Sequence, residues 1–130
     1  MSFERALFRA ACALLLLVGL AAGCSGSQPG TAASTPLPEN AREVNVEAKL
    51  RQRTIAFVEE LLIGEPGVYV NGRVVRIRGS QSGPLWVIDG MYSDTPLGIN
   101  PHDVDRMWID ATGSGYGRRG AGGVVIIATK

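Results

Sequence analysis

A chain of 130 residues with 13 basic and 12 acidic side chains carries a net charge of +1, without the basic excess that nucleic-acid-binding domains use to hold phosphate. The same balance argues against a polybasic module lying on an anionic membrane. Once the low-complexity start of the chain is set aside, roughly 90 residues remain, room for one modest hydrophobic core.

Arg5 and Arg9 precede an unbroken small or apolar run, Ala10 to Ala22, that closes on Leu20-Ala-Ala-Gly-Cys24, the layout of an export signal. At 13 residues the run is short of the roughly 20 that a membrane-spanning helix needs, which favours a signal over a transmembrane anchor. The small residues before Cys24 resemble the bacterial lipoprotein processing box, in which the cysteine is acylated and the signal is cut in front of it. An ordinary secretory signal with an incidental cysteine is the alternative. Cysteine usage favours the lipoprotein: Cys12 leaves with the signal, and Cys24 is then without a disulfide partner. Several acyl chains on Cys24 would hold it firmly, at about 0.8 kcal/mol per buried methylene. Removing Glu4, Arg5 and Arg9 leaves 11 basic against 11 acidic side chains. From Ser25 to Pro38 the chain is uncharged and rich in Ser, Gly, Thr, Ala and Pro, a composition that buries too little apolar surface to order itself. The expected organisation is a signal over residues 1–23, lipidated Cys24 with a flexible tether over 24–40, and a folded domain over 41–130.

Within the domain, apolar residues at Val44, Ala48, Ile55, Val58, Leu61 and Leu62 alternate with charged ones, predicting an amphipathic helix from about Glu47 to Leu62, stopped by Gly64 and Pro66. Val68 to Val70 and Val74 to Ile77 flank Asn71-Gly72 and predict a hairpin turning at that dipeptide. Period-two alternation puts Arg76 and Arg78 on one face of its second strand, with Val75 and Ile77 on the other. Leu85 to Ile88 is a continuous apolar run ended by Asp89-Gly90, as expected of a central strand buried on both faces. Asn100 and Pro101 predict a capped turn with proline at the first position of a short helix. Met107–Ala111 and Gly123–Thr129 supply two more strands, and the glycine-rich 112–122 segment between them is a loop. The fold class is therefore α+β: a small mixed sheet of about four to five strands with one main amphipathic helix.

Three constellations invite chemistry. Gly115-Tyr-Gly-Arg-Arg-Gly120 spells the dinucleotide fingerprint, but a strand rather than a helix follows it, so a pyrophosphate would find no helix amino terminus. His102, the one histidine, stands beside Asp103 and Asp105 without the nucleophile of a triad or the further ligands of a metal site. Nothing in the spacing of Asp89, Asp94 and Asp110 singles out a carboxylate pair for glycoside hydrolysis. No catalytic residue, metal site or cofactor is expected.

Taken in order, Arg76-Ile-Arg-Gly79, Pro84-Leu-Trp-Val-Ile-Asp-Gly90, Asn100-Pro-His-Asp103 and the run from Tyr116 to Lys130 resemble the plug domain of TonB-dependent receptors, specifically the type found in SusC-like (SusC/RagA) nutrient receptors. Pro66-Gly-Val-Tyr-Val70 resembles a further phrase of those plugs. The resemblance implies a plug-like domain in a Gram-negative envelope, attached to the outer membrane by the lipid on Cys24 and facing the periplasm or the cell surface. It also implies work in, or docking to, TonB-type nutrient-transport machinery or an outer-membrane β-barrel receptor. Arg78 and Arg119 match arginines of the receptor motifs, and with Arg76 and Arg118 they are the candidate partner-binding residues. Two departures stand out: the stretch between the Met107–Ala111 strand and Tyr116 is shorter than the family's, and the sequence contains no run of strands for a barrel, which predicts a free-standing plug. A small-ligand-binding lipoprotein using Arg118 and Arg119 for a carboxylate, sugar or phosphate is the alternative, and a purely structural envelope protein a third.

Overall fold

The computed structural model describes residues 36–130; the signal, Cys24 and most of the expected tether lie outside the described residues. The domain is α+β. Its strands are β1 (Arg42–Val44), β2 (Val68–Asn71), β3 (Val74–Ile77), β4 (Leu85–Ile88), β5 (Met91–Ser93), β6 (Val104–Asp110) and β7 (Val124–Thr129), with one α-helix, α1 (Val46–Gln52). Five strands form a mixed sheet in the order β1-β6-β7-β4-β5, and β2 and β3 form a separate hairpin. The β4/β7 pair is parallel and the other pairs are antiparallel.

The two parallel strands sit inside the sheet and carry apolar residues on both faces, as strands covered on two sides must. Trp86, Val125 and Ile127 join the main core with Val44, Met107 and Leu61, whereas Leu85, Val87, Val124 and Ile126 form a second cluster on the opposite face. Leu85 to Ile88 thus behaves as its unbroken apolar run predicts.

The helical segment departs from expectation. Asn45 caps α1, its side chain accepting from the Ala48 N–H at 2.9 Å, but the helix ends after Gln52, where Arg53 is extended. The chain re-forms as a 3₁₀ turn over Val58–Leu62. Thr54 and Ile55 are β-branched and gain little from helix, and the Glu60 carboxylate accepts from the Ala56 N–H (2.8 Å) and the Phe57 N–H (3.4 Å), satisfying donors that the break releases. Ile55, Val58, Leu61 and Leu62 are still buried, so the apolar stripe was a correct guide to the core and a poor one to helix length.

Two turns also differ from the sequence reading. Asn71 pairs with Val74, so the hairpin's two-residue loop is Gly72-Arg73, with glycine at the first loop position at φ 58°. Asp89 and Gly90, at φ 49° and 85°, do more than end β4: they turn the chain into β5, an edge strand that the sequence reading left out. The Asp89 carboxylate then accepts from the Thr129 N–H (2.9 Å) and hydroxyl (2.7 Å), tying this turn to the end of β7. The Asn100-Pro101 turn forms as expected, with the Asn100 side chain accepting from the His102 N–H at 3.0 Å.

Candidate functional site

The 112–122 segment is compact rather than slack. Ser114–Gly122 coils into 3₁₀ turns kinked at Gly117. Its ends press together so closely that a Cβ on Gly113 would lie 2.0 Å from the Gly120 carbonyl oxygen, and one on Gly120 would lie 2.2 Å from that of Gly113. The last glycine of the dinucleotide-like phrase therefore serves a backbone crossing, and the strand β7 follows it.

Asp110 anchors the start of this loop. It is fully buried and accepts through Oδ1 from the Thr112 N–H (2.8 Å) and hydroxyl (2.6 Å), while Oδ2 has no partner among the described residues. Burial pushes the carboxyl up, but hydrogen bonds from the Thr112 side chain and from the Thr112 and Gly113 backbones outweigh it, leaving Asp110 below the ordinary value of 3.8. A depressed carboxyl stabilises the fold fully above that ordinary value, and the contribution is lost as pH falls through the folded value. Chemical denaturation between pH 6 and 3 should accordingly show Asp110→Asn losing less stability on acidification than the parent. An identical acid limb would contradict this assignment. Above the loop, burial, neighbouring Tyr92 and the Asp110 charge push Tyr116 up.

The four candidate arginines do not share one face. Arg76, half-buried on β3, donates from Nη1 to the Ser80 carbonyl at 3.2 Å. Arg78 lies past the end of β3, correcting its expected place on the strand's face: its φ of 50° is left-handed, and its N–H donates to the Gly67 carbonyl at 2.7 Å. The side chain leaves an exposed turn, so the alternation that governs β3 stops applying to it. Arg118 and Arg119 are both exposed on the 114–122 loop, yet Arg119 turns toward β5, its Cζ 5.9 Å from the centre of the Tyr92 ring. Tyr92 in turn meets Tyr116 edge to face at 5.9 Å.

Arg119 and Tyr92 line a cleft of about 570 Å³ together with Gly83, Pro84, Leu85, Ser93 and Asp94. A second hollow of about 180 Å³ holds Arg73, Arg76 and buried Glu59, and shares Gly83, Pro84 and Asp94 with the first. The sequence reading passed over Tyr92, and it weighed Asp94 only as a hydrolytic carboxylate. Asp-Gly between apolar residues is a hairpin signal and would have exposed β5 and the cleft beside it. Among the described residues no group of three or more His, Cys, Asp or Glu side chains could hold a metal ion, and His102 sits exposed in its turn.

No protein-family model matches the chain. Two curated TonB-dependent receptors of Formosa agariphila are similar to it: one is 41% identical over 96 residues, covering 65% of this chain and 9% of the receptor, and the other is 35% identical over 86 residues, covering 61% and 8%. Among solved structures, the RagAB peptide importer in its open-open state matches 69% of this chain and 12% of its own at 31% identity, with a TM-score of 0.57. The siderophore receptor PirA from Pseudomonas aeruginosa matches 72% and 19% at 26% identity, also at 0.57. The chain thus spans less than a tenth of the length of the curated relatives it matches. These relatives are receptors and an importer. The described domain is a TonB-dependent receptor plug-like domain.

Proposed function

We propose that this protein is a non-enzymatic, lipid-anchored envelope protein whose plug-like domain acts in, or docks to, TonB-dependent nutrient uptake at the outer membrane. The observation that carries this reading is the plug-like fold, found in a chain whose likenesses are to receptors and an importer. Acylated Cys24, with residues 1–23 removed, would hold the domain at the membrane through the 24–40 tether.

Docking would use the arginines that the fold leaves available. Arg78 and Arg118 are exposed and form no ion pair among the described residues, whereas Arg76 is engaged with Ser80 and Arg119 with the Tyr92 cleft. A guanidinium presented on a turn suits a carboxylate on a partner, and breaking such a pair once it is desolvated costs about 2 to 5 kcal/mol. Affinity purification from outer membranes should recover a TonB-dependent receptor or its transport machinery with the parent protein. Recovery should fall sharply with the Arg78→Ala/Arg118→Ala double variant at an unchanged melting temperature, and Cys24→Ala should leave the membrane fraction. A double variant that recovers the partner undiminished would overturn the docking role, and a Cys24→Ala protein still held in membranes would overturn the anchor.

A further inference from the structure

We propose that the cleft between β5, the Gly83-Pro84 turn and the 114–122 loop binds a small zwitterion, a molecule with both a free carboxylate and a free ammonium group, of the size of an amino acid or a short peptide. At about 570 Å³ the cleft lies within the range of small-molecule sites. Its lining holds one cation, Arg119, and one anion, Asp94, and the two make no ion pair with each other or with any other described residue. A simple anion would be drawn to Arg119 and repelled by Asp94, and a simple cation the reverse. A molecule with both charges satisfies both groups.

The rest of the wall fits the same ligand. A guanidinium grips a carboxylate through two parallel N–H donors. The exposed Tyr92 ring beside it offers a π face to an ammonium group or an apolar side chain. Part of this wall is held in place before any ligand arrives: Tyr116 packs against Tyr92 edge to face, and the Ser93 hydroxyl donates to the Thr95 carbonyl at 2.6 Å, bracing the turn that carries Asp94. The inference stands apart from docking, which draws on Arg78 and Arg118.

Calorimetry on the full chain in detergent, with L-alanyl-L-phenylalanine as the probe, tests it against the N-acetylated and the C-amidated dipeptide. The free dipeptide should bind, and each blocked form should bind at least about tenfold more weakly, the scale of one lost charge-assisted hydrogen bond. Arg119→Met should erase the preference over the amide, and Asp94→Asn the preference over the acetylated form, with circular dichroism spectra like the parent's. No heat from the free dipeptide, equal binding of the blocked forms, or preferences unchanged in both variants would overturn the proposal. None of these outcomes bears on the partner pull-down, so the two readings fail separately.

Discussion

Alanine is expected to destabilise the domain by about 2 to 5 kcal/mol at Gly113 and by about 1 to 3 kcal/mol at Gly120. The new Cβ would sit 2.0 or 2.2 Å from a backbone carbonyl oxygen, well inside contact distance, and backbone cannot swing aside as the end of a flexible side chain can. Overpacking alone costs about 1 to 3 kcal/mol. At Gly113 the φ of 59° adds roughly 1 to 2 kcal/mol for a residue with a Cβ. Each kcal/mol lowers the melting temperature of a domain this size by about 4 to 8 °C, so the loss at Gly113 should be roughly 8 °C or more. Gly115→Ala is the internal control, because its Cβ would meet nothing within 4 Å, and its effect should stay within about 0.5 kcal/mol. Equal sensitivity at Gly113 and Gly115 in thermal melts would contradict the crossing and revive a functional reading of the glycine-rich phrase.

Leu61→Ala should cost about 2 to 5 kcal/mol, the range for a large side chain removed from a close-packed core, and lower the melting temperature by roughly 10 °C or more. Leu61 is 0% exposed in the 3₁₀ turn that packs under the hairpin, whereas Ile63, two residues on, is 41% exposed. Ile63→Ala should therefore lose less than about 1 kcal/mol. Similar losses at the two positions would mean that the Val58–Leu62 turn is not seated as described.

The elements written in local chemistry were legible from the chain alone. Leu85 to Ile88 declares a strand covered on both faces because four consecutive apolar side chains cannot face water on either side, and the Asn100-Pro101 turn declares itself through a cap and a fixed φ. The order of the motifs also sufficed for the plug-like resemblance. Tertiary structure decided what depends on competition between distant groups. The apolar stripe from Ile55 to Leu62 suits a helix and a broken 3₁₀ path alike, since spacings of three serve both, and the choice fell to the Glu60 carboxylate reaching the Ala56 and Phe57 amides. Alternation placed Arg78 with Arg76 until a left-handed turn, tied to Gly67, swung it off the strand. The presence of Arg119, Tyr92 and Asp94 in one cleft follows from β4 lying between β5 and β7, which carries the end of one loop beside a strand far from it in sequence. No local pattern encodes that adjacency, because it comes from the order of strands in a sheet whose partners are chosen by packing.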